Sequence, residues 1–174
     1  MHILIVGAKG IGKSTLIDKI ITALNMPLWG FYTKKETHLT DSKLGEPIYI
    51  YEPDKRGIPL TEHLVGYCSN QHTTAYVERF DSFAKAHLQS PPQDHLIVMD
   101  EIGFMESKAE AFREAILSIL DGTNLTIAAV KDKNTEFLNQ VRNHPNCKCF
   151  YITAENRDEL YEIVMQAILC NRKI

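Results

Sequence analysis

The stretch "HILIVGAKGIGKSTLIDKIITAL", residues 2–24, decides the fold. His2–Val6 is a short β-branched run ending at a glycine, which predicts a buried strand. From Ser14 the apolar residues Leu16, Ile17, Ile20, Ile21 and Leu24 recur at helical spacing, and Asn25 and Pro27 close the helix. Between strand and helix, Gly7-Ala8-Lys9-Gly10-Ile11-Gly12-Lys13-Ser14 fits G-x-x-x-x-G-K-[ST] at every fixed position. Glycines there let several backbone N–H groups point inward at phosphate oxygens, and the helix N-terminus adds its positive end. Residues Gly7 to Thr15 are therefore expected to hold nucleotide phosphates. Lys13 is expected to neutralise the β- and γ-phosphates, and the Ser14 hydroxyl to ligate Mg²⁺. Lys9 falls one position from where some phosphate-loop ATPases carry a second signature lysine, a place taken here by Ala8, and reads as an exposed loop lysine.

A magnesium-dependent enzyme of this kind needs an acid at the end of a nearby strand. Asp100 follows the apolar run Leu96-Ile97-Val98-Met99 and is the expected holder of the metal. Glu101, next in the chain, is placed to accept a hydrogen bond from the attacking water and so to orient or deprotonate it. An adjacent Asp-Glu pair favours hydrolysis over transfer to a second substrate. It also points to a sheet in which another strand separates the phosphate-loop strand from the Asp100 strand.

Outward from these motifs, apolar strands alternate with amphipathic helices. "LTIAAV" (Leu125–Val130) and "CKCFYIT" (Cys147–Thr153) read as strands. Helices are expected from Tyr76 to about Leu88, from Ser107 to Leu120 with Gly122 as C-terminal cap, around Thr135–Asn143, and from about Glu155. Trp29 to Glu52 reads as a β-hairpin or a pair of extended strands, with Trp29 and Tyr49 serving packing. Pro53 to Thr74 has little period and no clear assignment. The expected architecture is an α/β three-layer sandwich over residues 1–174 as one domain. It has about five parallel strands and added antiparallel ones.

The 174 residues carry 19 basic and 22 acidic side chains, a net charge of −3 that excludes a bulk nucleic-acid or acidic-membrane binder. Lys34-Lys35 and Lys131/Lys133 are the closest approach to basic clusters and read as solvated pairs. No run approaches the roughly 20 apolar residues of a membrane span, and the start Met-His-Ile-Leu lacks the pattern of a signal peptide, so the cytoplasm is the expected compartment. Cys147 and Cys149 share one strand face without a second ligand pair, and read as half-buried thiols in a reducing environment. His63, His72 and His144 receive no role.

Four motifs together resemble the small nucleoside-triphosphatase family that includes the cancer-related nucleoside-triphosphatase and its thermophilic prokaryotic relatives. They are "GAKGIGKSTL" from Gly7, "GFYTKKE" from Gly30, "DEIGFME" from Asp100 and "ITAENRDEL" from Ile152. The resemblance runs almost end to end. It implies a compact α/β domain that slowly hydrolyses several nucleoside triphosphates with magnesium, Gly7 to Thr15 binding phosphate and Asp100 and Glu101 serving metal and water. The shared motif includes Glu106, read either as catalytic or as an acid at a helix N-terminus. The chain departs from the pattern at Lys34-Lys35-Glu36, at Gly45-Glu46-Pro47, and at Phe104, where a basic residue is frequent.

Arg157 is a candidate to stack on the base or reach a phosphate, and Arg56, Arg142 and Arg157 are the candidates for a charge-stabilising arginine. The expected function is Mg-dependent hydrolysis of ATP, GTP and other triphosphates to diphosphate and phosphate. The alternatives are a nucleotide or small-molecule kinase, for which Tyr67 to Arg79 is a candidate pocket wall, and a nucleotide-dependent switch acting on a protein partner.

Overall fold

The structure, a computed structural model, describes residues 1–69 and 72–171. Among the described residues, eight strands form one sheet in the order β5-β4-β3-β2-β6-β7-β1-β8. In chain order these are β1 (His2–Gly7), β2 (Leu28–Lys35), β3 (Glu46–Tyr51), β4 (Leu64–Cys68), β5 (Thr73–Ala75), β6 (Leu96–Ile102), β7 (Thr126–Lys131) and β8 (Cys147–Tyr151). The helices are α1 (Lys13–Leu24), α2 (Val77–His87), α3 (Glu110–Asp121), α4 (Glu136–Arg142) and α5 (Leu160–Asn171).

β1 shows why the sheet is covered on both sides. Every one of its residues is buried, and successive side chains point to opposite faces. Leu4 and Val6 enter a core that contains Phe80, Phe112 and Leu138 from α2, α3 and α4. Ile3 and Ile5 enter a second core with Leu16, Ile17 and Ile20 of α1 and Leu160, Val164 and Ile168 of α5. Two helical layers thus sandwich the sheet, as expected.

β2, β6, β7, β1 and β8 are mutually parallel, while β3, β4 and β5 continue the sheet in antiparallel fashion. β2 belongs to both parts: Gly30 pairs with Val98 of β6, and Tyr32 with Tyr51 of β3. The expected hairpin is therefore also the junction between the two halves of the sheet. β7 lies between β1 and β6, so the phosphate-loop strand and the Asp100 strand are not neighbours. Trp29 packs on the first core, and Tyr49 stacks on Tyr51 with ring centroids 6.1 Å apart.

Several boundaries differ from the sequence expectation for local reasons. The helix expected from Ser107 begins at Glu110, because Met105–Lys108 forms a tighter 3₁₀ turn first. The last helix begins at Leu160. Residues 154–159 are instead held as turns, with Asn156 Oδ1 accepting from the Thr153 N–H at 2.8 Å. Gly122 caps α3 in an extended conformation, its N–H donating to Ile119 O, and not in the left-handed form common at such caps. The unassigned Pro53–Thr74 region supplies two short 3₁₀ turns, all of β4 and the first residues of β5.

Gly30 explains the first residue of the "GFYT" motif. Its φ is +119°, and a Cβ there would stand 2.1 Å from Val98 O. Gly30→Ala is expected to destabilise the fold by roughly 2 kcal/mol or more, seen as a lower urea midpoint at unchanged slope.

Candidate active site

The phosphate loop leaves β1 at Gly7 and enters α1 at Lys13. Gly10 and Gly12 have φ of +77° and +114°, the left-handed conformations that turn consecutive N–H groups toward one concavity. Ile152, just past β8, packs directly on Gly7 and supports the loop from below.

Lys13 is only 4% exposed. Its Nζ donates to Gly7 O at 2.9 Å and to Ala8 O at 2.8 Å, and lies 3.0 Å from Glu101 Oε2. The other oxygen of Glu101, Oε1, is 3.0 Å from Lys131 Nζ. Glu101 is thus gripped by two ammonium groups, one from the phosphate loop and one from the end of β7. Beside it, Ser14 Oγ donates to Asp100 Oδ1 at 3.1 Å, so the two expected metal ligands are already in contact.

Asp100 is 5% exposed. Burial is the main cause that raises its pKa to about 6; the charge of Glu101 adds to the rise, while the Ser14 hydrogen bond and Arg56 oppose it. A desolvated carboxylate touching a hydroxyl, with its nearest strong neighbour another carboxylate, is a donor set suited to a hard divalent cation. Glu106 is buried and accepts from the Gly103 N–H. Burial raises its pKa, and the hydrogen bonds from the Gly103 and Glu106 N–H groups, then Lys131, partly offset the rise. It stands in the first turn of the 3₁₀ helix Met105–Lys108 after β6, where the helix-start reading put it, and it also lines the cavity beside Glu101.

A cavity of about 620 Å³ is lined by Gly7–Gly10, Ser14, Asp100 and Glu101 together with Lys34, Lys35, Lys131 and Phe104 among others. Of the Tyr67–Arg79 stretch, Cys68 and Thr73 reach the cavity wall; residues 70 and 71 lie outside the described residues. Lys9 lines the cavity and is exposed, as expected. Ile11 packs on the α1–α5 core, and Thr15 sits on the exposed side of α1 without lining the cavity.

The candidate arginines separate clearly. Arg157 is 56% exposed, lies 3.9 Å from Asp158 and does not line the cavity. Arg142 is spent on structure, donating to Lys131 O, Lys133 O and Asn139 Oδ1. Arg56 lies 4.1 Å over the Tyr32 ring and pairs with Asp18 at 2.9 Å, and its charge favours the ionised form of Asp100.

Lys131 was missed as a site residue, having been read as half of a solvated pair. The signal was present: it directly follows the run Leu125–Val130 as Asp100 follows its own, and the structure sets that strand between β1 and β6. Phe104 takes a related part, its ring lying 5.1 Å from Lys131 Nζ and 4.3 Å from Lys133 Nζ. The chain thus places a ring against two lysines where its resemblance suggested a basic side chain.

No helix among the described residues is long and apolar enough to cross a membrane. Comparison with known proteins gives the family. The chain is similar to the nucleoside-triphosphatase THEP1 of Thermotoga petrophila, 27% identical over 172 residues covering 99% of this chain and 95% of the relative. It is 28% identical to the human cancer-related nucleoside-triphosphatase over 193 residues, covering 99% and 98% of the two. The crystal structure of THEP1 from Aquifex aeolicus superposes with a TM-score of 0.68 at 24% identity, covering 94% of this chain and 96% of that one, which shows the shared fold. The NTPase family profile matches residues 2–165. The chain belongs to the NTPase family and is, by that membership, a nucleoside-triphosphatase.

Proposed function

We propose that the protein hydrolyses nucleoside triphosphates to diphosphate and phosphate with Mg²⁺, slowly and with little regard for the base. One observation carries the reading: Glu101 is held by Lys13 and Lys131 at the mouth of the phosphate loop, beside the Ser14–Asp100 pair. Ser14 and Asp100 would hold the metal, Asp100 directly or through a water. Mg²⁺ would neutralise charge on the β- and γ-phosphates and polarise the phosphoryl group.

The chain's own residues do the rest. Loop N–H groups from Gly7 to Thr15 bind phosphate oxygens. Lys13 leaves Glu101 Oε2 for the β/γ-phosphates, which compete for it with greater negative charge. Oε2 is then open to a water, while Lys131 keeps Oε1 and fixes the carboxylate's orientation. The water oxygen attacks the γ-phosphorus, its proton passes to Oε2, and the bond to the β–γ bridging oxygen breaks with its electron pair leaving on the diphosphate. Recognition directed at phosphates, which all nucleoside triphosphates share, accounts for broad base use. Slow turnover fits a proton acceptor that must first be released from an ion pair. Arg157, exposed on the turn after β8 and outside the cavity lining, stays a proposed nucleotide contact, to the base or to a phosphate.

Phosphate release from ATP, GTP, CTP and UTP, with and without Mg²⁺ and with no other substrate, tests the reading. Release from several nucleotides that needs the metal is expected. Tight Mg-nucleotide binding without release would overturn it in favour of a phosphate acceptor or an activating partner. Lys131→Met should lower kcat roughly a hundredfold, as loss of one preorganised charged group does, with little change in KM.

A further inference from the structure

Outside the catalytic cavity, Glu52, His63 and His87 bring one carboxylate oxygen and one ring nitrogen each to within 4.8 Å of one another. Glu52 directly follows β3, His63 ends a 3₁₀ turn before β4, and His87 ends α2. None of the three lines the catalytic cavity. Glu52 Oε1 is 3.0 Å from His87 Nδ1, and the His63 ring stands edge-on to that of His87, centroids 5.9 Å apart. His63 is 6% exposed, and its Nδ1 is buried with no hydrogen-bond partner among the described residues. A buried imidazole nitrogen left unpaired costs free energy that some partner normally recovers.

We propose that these three residues form a second metal site, for Zn²⁺ or a similar borderline-soft divalent ion, clamping the irregular segment from Glu52 to His63 onto α2. Two imidazoles and one carboxylate are a donor set that Zn²⁺ favours and that Mg²⁺ and Ca²⁺, which prefer all-oxygen shells, do not. Tetrahedral ligands with bonds of roughly 2 Å sit about 3.3 Å apart. The Glu52–His87 pair is already near that spacing, and side-chain rotation closes the remainder. Lys55 contacts the other oxygen of Glu52, Oε2, at 2.6 Å, so Oε1 stays available to the ion. A water supplies the fourth position. The segment so clamped also bears Arg56, which lies on Tyr32 of β2.

The test uses the full chain, stripped with a chelator and titrated with Zn²⁺ without nucleotide, with Co²⁺ as spectroscopic probe. An Asp100→Asn background removes binding at the catalytic carboxylate. One equivalent of Zn²⁺ is expected, with tetrahedral Co²⁺ absorption lacking thiolate charge transfer, and with a rise in Tm. His87→Gln and Glu52→Gln should each weaken binding by at least the roughly ten- to hundredfold that loss of even an outer-shell partner costs, and abolish the Zn²⁺-dependent rise in Tm. In an otherwise wild-type chain, Mg-nucleotide binding by His87→Gln should stay unchanged, which shows that this variant folds. No stoichiometric binding, binding unaltered in both variants, or binding lost only on replacing Cys147 and Cys149 with serine would overturn the proposal.

Discussion

Glu101→Gln should lower kcat by roughly a thousandfold, within the usual range for loss of a general base, while nucleotide binding is kept or tightened. The two effects share one cause. Glu101 Oε2 holds Lys13 at 3.0 Å, so a triphosphate must break that pair to engage the lysine. The neutral amide cannot accept the water's proton, and it also holds Lys13 less strongly and removes a negative charge from beside the incoming phosphates. Single-turnover phosphate release, set against Kd from a fluorescent triphosphate analogue, separates the two. A variant that binds several-fold more weakly and hydrolyses at the wild-type rate would remove Glu101 from the proposed mechanism and leave it a structural partner of Lys13 and Lys131.

Asp100→Asn should do two opposite things. In Mg²⁺ it should lose roughly two to three orders of magnitude in kcat/KM, the scale of several kcal/mol that a bound metal contributes to the transition state. Without metal it should be the more stable protein. The Asp100 pKa is raised from 3.8 to about 6, chiefly by burial. Between those values the folded state binds more protons than the unfolded one, so this group's contribution falls as pH rises through the window and is fully unfavourable above it. Asparagine removes that term, and its oxygen can still accept from Ser14 Oγ. The gain is up to about 3 kcal/mol near neutral pH and close to zero near about pH 4. Urea unfolding in chelator at both pH values reads it directly. Added Mg²⁺ should narrow the difference by stabilising the wild type alone. A variant less stable than wild type at neutral pH without metal would show that the buried carboxylate is compensated in the fold.

Much of this was legible in the residues because it is local. A β-branched run, a complete phosphate-loop pattern and a helical stripe lie within residues 2–24, and each confirms the next. The Asp100 strand end was legible for the same reason, and the Asp-Glu pair carried the non-adjacency of β1 and β6. What escaped depends on chain segments meeting. Lys131 matters only because β7 inserts between those two strands and brings its end beside Glu101. Glu106 reads equally as a catalytic acid or as a helix-start acid, and its burial comes only from the fold of the turn after β6. β4 was hidden because Gly66 interrupts "LVGYC" and because its pairing with β3 and β5 is not periodic in sequence. His63 and His87 stand far apart in the chain, in segments of different character, and only the packing of α2 against the 3₁₀ turn before β4 makes neighbours of them.

The double grip on Glu101 also bears on what happens after the reaction. On the proposed mechanism, a diphosphate left in the loop offers Lys13 less charge than the substrate did, so the balance tips back toward the carboxylate. Re-forming that ion pair helps expel the spent nucleotide and silences the proton acceptor until another triphosphate arrives. Product inhibition should accordingly be weak in the wild type and pronounced in Glu101→Gln, where no anion waits to reclaim the lysine.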